Sequence, residues 1–292
     1  MKKDITNLFC FVDDFCHAVD KWLNEQAITA DAKRTLTRIP GMRVSEIITV
    51  MLLYHQSPCK NFKYFYNSYL QLYKTEFPTL LSYNRFIELE KRILIYIVVL
   101  LEWYCHQSKR TGISYIDSTP IAVCHPKRIS RNKVFAGIAE LGKTTKGWFY
   151  GIKLHIITNE KGELQSVKLT TGNTDDRVPV SHLTKQLTGL LFGDKGYIKQ
   201  ELFQELYDRG LKLVTGIKKC MKNKLVPIFE KMLLRKRSMI ETVFDILKCH
   251  FQLEHTRHRS ISNALVHIIS TLLAYCLKPT KPSIRFSFLI PN

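Results

Sequence analysis

Residues 190–197 read Leu-Leu-Phe-Gly-Asp-Lys-Gly-Tyr, an apolar run that ends at the carboxylate of Asp194. Residues 113–117, Ile-Ser-Tyr-Ile-Asp, have the same form and end at Asp117. Short apolar runs of this kind favour buried strands. An acid at the end of a buried strand is costly unless it is paired or binds a metal. The two runs therefore predict a sheet with two carboxylates at one edge.

The segments around these two runs predict the rest of the sheet. Further strands are expected at residues 120–124, 148–158, 163–170 and 211–217, with a hairpin turn at Asn159-Glu160-Lys161-Gly162. Helices are expected from Asp175 or Asp176 to about Gly189, and over residues 199–209, 236–251 and 261–277. This order predicts an α/β fold in which helices cover a mixed sheet of the α+β type.

Residues 1–110 differ from the remainder because apolar residues recur there at helical spacing and Gly41 is the only glycine. We expect an all-helical N-terminal region there, a catalytic domain over residues 111–278, and a C-terminal tail over residues 279–292. The aromatic residues between Asn61 and Lys74 could stack on bases, but a helical core is the favoured interpretation.

The charge of the chain identifies the class of its partners. Forty-four Lys and Arg against 25 Asp and Glu leave a net charge of +19. Residues 1–111 carry +4 of it and residues 112–292 carry +15. Such a balance favours a polyanion, with nucleic acid ahead of an anionic membrane surface.

Membrane and extracellular classes fit the sequence poorly. The longest apolar stretch, residues 93–101, is nine residues long, whereas a spanning helix needs about 20. No targeting segment is visible at the N-terminus, and none of the eight cysteines forms a C-x-x-C pair. We therefore expect a cytoplasmic protein with no membrane partner.

A third acid completes a candidate metal site. Glu241 lies in a predicted helix whose neighbours Ile240, Phe244 and Leu247 are apolar, so the helix can point this carboxylate at the strand ends. A single Asp after a strand is more often a turn former or a helix cap. Three acids at one sheet edge instead favour a hard-oxygen site for two Mg²⁺ ions, for which Mn²⁺ can substitute, and thus phosphodiester cleavage.

Several motifs carry a family resemblance. Tyr115-Ile116-Asp117-Ser118 and Gly193-Asp194-Lys195-Gly196-Tyr197 resemble the first two acidic segments of bacterial insertion-sequence transposases, whose DDE triad lies on a ribonuclease H-like fold. A large group of these enzymes carries Tyr, Arg, Glu and Lys at fixed spacing around the glutamate. Arg237, Glu241 and Lys248 match the last three, while Leu234 stands at the tyrosine position.

Two more segments extend the likeness over residues 112–278. They are Gly151-Ile152-Lys153-Leu154-His155 and Gly172-Asn173-Thr174-Asp175-Asp176. The resemblance implies that Asp117, Asp194 and Glu241 are both the catalytic residues and the metal ligands. The resemblance and the local positive charge together predict a set of side chains that contact DNA phosphates. They are Arg237, Lys248, Arg235, Lys236, Lys127, Arg128 and Arg131. A second basic cluster is predicted at Lys218, Lys219, Lys222 and Lys224. A salt bridge or a solvated face would explain the same charges without DNA.

The resemblance implies a transposase that binds the ends of its mobile DNA element, cleaves them, and joins the freed 3′-hydroxyl ends to target DNA. Joining two ends at once would require at least a dimer on double-stranded DNA. One alternative is a nuclease or resolvase on the same fold that cuts without joining. Another is a catalytically silent DNA-binding protein.

Overall fold

The computed structural model describes residues 2–27, 41–145, 147–217, 226–254 and 258–284. The basic cluster predicted at residues 218–224 and the last part of the predicted tail, residues 285–292, lie outside these ranges. The chain divides into two compact units. The described parts of Met1–Leu101, His250–Leu253 and His258–Leu277 form the first, and those of Glu102–Cys249, Glu254–Arg257 and Lys278–Asn292 form the second.

The described residues contain helices throughout the chain. In chain order they are α1 (Lys2–Ala27), α2 (Val44–Gln56), α3 (Phe62–Tyr64), α4 (Tyr83–Glu90), α5 (Leu94–Gln107), α6 (Val180–Leu183), α7 (Gln200–Asp208), α8 (Ile228–Arg235), α9 (Ser238–Asp245) and α10 (Ile261–Cys276). In the first unit α2 packs against both α1 and α10. Helix α10 begins where the Ser260 hydroxyl accepts a hydrogen bond from the backbone N–H of Asn263.

Aromatic side chains form much of the core of the first unit. Phe65, Tyr66 and Phe86 are fully or almost fully buried, and the ring of Phe62 meets that of Tyr54 edge-on with centroids 5.0 Å apart. Such pairs add directional attraction to the burial of apolar area. The core role predicted for the aromatic residues between Asn61 and Lys74 is confirmed for Phe65 and Tyr66, whereas Tyr64 is 62% exposed.

A buried acid lies inside this helical core. Glu90, at the end of α4, is only 4% exposed, and its carboxylate accepts a hydrogen bond from Asn263 Nδ2 at 3.2 Å. Burial disfavours the charged form and raises the pKa of Glu90 from 4.5 to about 8. The folded protein therefore binds this proton more tightly than the unfolded chain does.

The first testable consequence concerns Glu90→Gln. Because the folded pKa is the higher one, the stability that Glu90 contributes is fully present below pH 4.5 and is lost as the pH rises through 8. Glutamine does not titrate. The free energy of unfolding of the variant, relative to wild type, should rise by about 2–4 kcal/mol between pH 5 and pH 9. Urea unfolding followed by circular dichroism measures this, with Glu88→Gln on the exposed face of α4 as control. Parallel pH dependences of wild type and Glu90→Gln would contradict the assignment.

The second unit is built on one six-stranded sheet. Its strands are β1 (Ile113–Cys124), β2 (Glu140–Thr144), β3 (Gly147–Asn159), β4 (Leu164–Thr171), β5 (Gly189–Gly193) and β6 (Leu211–Thr215). Strand β3 is antiparallel to β1 along one edge and pairs with β2 and then β4 along the other. Strand β5 is parallel to both β1 and β6. The path β4–β3–β1–β5–β6 is the strand order of the ribonuclease H-like fold, so the predicted fold class is confirmed.

Local chemistry explains two of the connections. Asn159 closes the β3–β4 hairpin because its Oδ1 accepts hydrogen bonds from the backbone N–H groups of Lys161 and Glu163, each at 3.0 Å. Gly162 takes the left-handed conformation that this turn requires, with φ at 71°. Parallel strands cannot be joined by a hairpin, and α7 supplies the crossover between β5 and β6. These connections were predicted.

Several elements differ from the expectations. The strands expected at residues 113–117 and 120–124 are one continuous strand, β1, so Asp117 lies within a strand and not at its end. The helix expected over residues 236–251 is α9 followed by the π-helical segment Ile246–His250. The helix expected from Asp175 or Asp176 to Gly189 is wrong in length, since only Val180–Leu183 is α-helical. Asp175 instead closes a turn, accepting a hydrogen bond from the N–H of Arg177 at 2.9 Å. Strand β2 and helix α8 were not predicted. Strand β2 lacks an alternating pattern and is defined by its pairing with β3.

Candidate active site

Strand register places the two predicted aspartates side by side. The parallel pairing of β1 with β5 ends at Tyr115 opposite Phe192. Asp117 and Asp194 each follow two residues later, so both carboxylates belong to the same level of neighbouring parallel strands. Parallel strands lie about 4.8 Å apart. Asp194 also caps the turn that follows β5, where its Oδ1 accepts a hydrogen bond from the Gly196 N–H at 2.8 Å.

Helix α9 brings the predicted glutamate to the same place. Its apolar residues Ile240, Val243 and Phe244 are buried, and the helix packs against β1. That packing leaves Glu241 on the open side, with 54% of its side chain exposed. The amphipathic pattern read from the sequence therefore orients this helix as expected.

Arg237 connects the acids of β1 and α9. Its Nη1 lies 3.2 Å from Asp117 Oδ2, and its Nη2 lies 2.7 Å from Glu241 Oε1. The planar guanidinium suits this role because its donors diverge in a fixed fork. One cation therefore forms ion pairs with two of the three carboxylates that the sequence predicts as metal ligands.

The pKa of Asp117 also reflects the closeness of the three acids. Burial raises the pKa of Asp117 from 3.8 to about 6, while the Ser118 N–H and Arg237 act to lower it. The carboxylates of Asp194 and Glu241 raise it further. Two like charges close enough to disfavour ionisation make this a place where a further cation would be stabilised. The structure therefore brings Asp117, Asp194 and Glu241 into one neighbourhood.

The arrangement is not a closed ligand shell. Among the described residues, no three His, Cys, Asp or Glu side chains stand close enough together to hold one metal ion. The guanidinium of Arg237 accounts for part of this spacing, because it lies between two of the acids. The donor set itself fits a hard divalent cation, since it consists of carboxylate oxygens and Arg237 supplies only one positive charge against three acids.

The predicted phosphate-binding residues fall into three groups. Arg235 and Lys236, at the end of α8, are exposed, as are Lys127, Arg128 and Arg131 in the 3-10 segment Pro126–Arg131 after β1. Arg237 lies among the acids. Lys248 donates to the Pro120 carbonyl at 3.3 Å and pairs with Glu254 at 2.5 Å. The i,i+4 salt bridge considered from the sequence is the one between Arg237 and Glu241. The role of Lys248 on DNA stays a prediction.

The structure adds side chains that the sequence had not placed at the site. Tyr197 is 1% exposed, and burial together with Asp117, Asp176 and Asp194 raises the pKa of its phenol well above the usual value. Asp176 pairs with Lys153 of β3 at 3.0 Å. Tyr197, Asp176 and Lys153 all lie in segments that resemble the transposase motifs. That resemblance was the sequence signal by which they could have been predicted at the site.

Fold and site define the class of protein: a ribonuclease H-like domain in which acids of the neighbouring parallel strands β1 and β5 and of helix α9 come together. Residues 107–261 match the family model described as transposase DDE domain, which is more than half of the chain. The chain therefore belongs to the DDE transposase family.

Comparison with solved structures found weak likenesses to Mos1. They are the Mos1 strand transfer complex (12% identity, 89% of this chain and 85% of that chain, TM-score 0.25) and the Mos1 mariner paired-end complex with Mn (11%, 89% and 86%, TM-score 0.24). A third is the Mos1 transposase paired-end complex with the left transposon end (11%, 89% and 86%, TM-score 0.22). Among curated proteins, no sequence matches the chain. No helix of the described residues is long and apolar enough to cross a membrane.

The bridge formed by Arg237 leads to a stability prediction. Arg237→Gln leaves two neighbouring carboxylates without their shared partner, so we expect it to lower the free energy of unfolding by about 1–3 kcal/mol without divalent metal. Arg235→Gln removes an exposed cation of the same type and should change stability by less than about 0.5 kcal/mol. Urea titrations of both variants at pH 8 provide the comparison. Equal effects of the two substitutions would show that the bridge contributes nothing.

Proposed function

We propose that this chain is a transposase that binds the ends of its mobile DNA element, cleaves phosphodiester bonds, and joins the freed 3′-hydroxyl ends to target DNA. The single observation that carries the proposal is the convergence of Asp117, Asp194 and Glu241 from β1, β5 and α9, with Arg237 between two of them. Membership in the DDE transposase family supports the same reading.

Asp117, Asp194 and Glu241 would hold two Mg²⁺ ions, with Mn²⁺ as a substitute. Oxygen donors and the mutual repulsion of the acids both favour a hard dication here. Bound divalent metal would activate the attacking oxygen and stabilise the leaving oxygen of the phosphodiester.

The chain's own residues would prepare this chemistry in two ways. Before metal binds, Arg237 would fix the positions of the Asp117 and Glu241 side chains. Once metal is bound, its guanidinium can bind a DNA phosphate instead. The exposed cations after β1 and at the end of α8 would hold the backbone on either side of the reacting phosphate. These are Lys127, Arg128, Arg131, Arg235 and Lys236.

The proposal extends to assembly and to the division of labour along the chain. Joining two element ends requires two active sites on one DNA assembly, so we propose at least a dimer on double-stranded DNA. The N-terminal helical region would recognise the ends or mediate assembly, and the residue 111–278 region would carry catalysis. The assembled transposase would act in the cytoplasm.

The test of the proposal uses three isosteric variants. Asp117→Asn, Asp194→Asn and Glu241→Gln should each abolish cleavage of a duplex carrying the element ends, with Mg²⁺ or Mn²⁺ present, while end binding changes little. The reason is that an amide cannot supply the charge a dication needs. Asp245→Asn, one turn further along α9 and exposed, is the matched control and should cleave normally.

Product analysis on gels separates the alternatives. Joined products support transposition, cut products alone indicate a nuclease or resolvase, and a mobility shift alone indicates a silent DNA-binding protein. A triad variant that keeps cleavage within about tenfold of wild type, or about 1.4 kcal/mol of barrier, is wrongly assigned. Full cleavage in excess EDTA would rule out metal chemistry.

A further inference from the structure

The segment between β1 and β3, residues 125–146, is strongly basic, and we call it the basic insert. It contains six Lys or Arg and one acid. Five of its cations are described and exposed: Lys127, Arg128, Arg131, Lys133 and Lys143. Within the described part of the chain, no carboxylate forms an ion pair with any of the five, although salt bridges are found elsewhere on the same unit. This segment therefore carries positive charge that the fold leaves unneutralised.

An exposed tryptophan borders the basic insert. Trp148 is 59% exposed on the two-stranded ribbon that β2 forms with the start of β3. Lys143 is its cross-strand partner, and the Lys143 ammonium lies 5.5 Å from the centre of the indole ring. A cation over an aromatic face is attractive. More than half of the surface of Trp148 stays exposed to water despite this contact.

Close backbone packing fixes this ribbon in place. A Cβ on Gly142 would lie 2.2 Å from the Gly172 carbonyl oxygen and 2.6 Å from the Phe149 ring. The Gly172 N–H in turn donates to the Gly151 carbonyl at 3.0 Å. Glycine at these points lets the ribbon lie directly on the neighbouring turn. Trp148 is therefore carried on a rigid support, and stacking on it would cost little ordering entropy.

Strand register also gives the position of Trp148 relative to the candidate active site. Asp117 pairs with Ile156 of β3, and Trp148 lies eight residues before Ile156 on that strand. At about 3.3 Å per residue, the indole lies roughly 26 Å along the sheet from Asp117. A DNA strand rises about 3.4 Å per nucleotide, so this distance corresponds to about eight nucleotides.

We propose that Trp148 and Lys143 form a stacking platform for an unpaired DNA base, and that the basic insert holds the phosphates beside it. The faces of paired bases are covered by their neighbours, so a protein ring can stack only on a base that is unpaired or at an end. Charge favours this occupant over a second copy, because a contact between identical basic inserts would bring like charges together. The inference rests on the proposed function in that DNA is the ligand.

The experiment uses tryptophan fluorescence of the full-length chain. The three tryptophans are Trp22, Trp103 and Trp148, so the double variant Trp22→Phe/Trp103→Phe leaves Trp148 as the only indole. Titration with a thymidine oligomer of about 16 nucleotides should quench its emission. A blunt duplex of equal length offers only its two terminal base pairs for stacking and should quench it much less. In the otherwise wild-type chain, Trp148→Ala should weaken binding of the oligomer about 5- to 150-fold, equivalent to about 1–3 kcal/mol. It should change duplex binding by less than about twofold.

Two matched variants complete the design. Trp103→Ala removes another exposed indole of the same unit and should leave oligomer binding unchanged, while Trp148→Phe should retain part of it.

Equal loss on oligomer and duplex, or no loss on either, overturns the stacking platform. Quenching of Trp148 that rises with protein concentration without DNA also overturns it, in favour of a second copy. A protein that cuts and joins DNA but shows no Trp148 effect refutes this inference alone. Trp148-dependent binding without any cleavage refutes the proposed function alone.

Discussion

The two ion pairs of Arg237 are the interaction on which the candidate site depends. Asp117 is largely buried beside two other acids, an arrangement that opposes its ionisation and would push the acids apart. The guanidinium joins Asp117 to Glu241 and so ties β1 to α9. A single cation therefore makes a cluster of like charges compatible with a folded domain.

The rest of the second unit serves to place those charges. The register of β1 with β5 puts Asp117 and Asp194 on one level, and the β3–β4 hairpin keeps the antiparallel half of the sheet aligned with β1. The buried apolar face of helix α9 fixes the position of Glu241 relative to β1. Sites of this kind reduce stability locally, and the surrounding sheet compensates. The same sheet extends beyond β1 as the ribbon that carries Trp148.

The sequence predicted the parts of the fold that follow from local pattern. Apolar runs ending in Asp117 and Asp194, the Asn159–Gly162 turn and the helical spacing around Glu241 each have a short-range cause. Strand β2 and helix α8 were missed because their existence depends on tertiary pairing and packing. The i,i+4 spacing of Arg237 and Glu241 indicated their salt bridge, whereas the contacts of Arg237 with Asp117 and of Lys248 with Pro120 and Glu254 depend on tertiary structure. The exposure of Trp148 became visible only in three dimensions.

The most direct test of the central claim is a crystal structure of the full chain soaked in Mn²⁺, with data collected to locate anomalous scattering. We expect metal about 2.0–2.2 Å from carboxylate oxygens of Asp117 and of Asp194 or Glu241. We also expect that the Arg237 guanidinium leaves at least one of its two carboxylate partners. Metal bound elsewhere, with Arg237 still joined to both Asp117 and Glu241, would contradict the account.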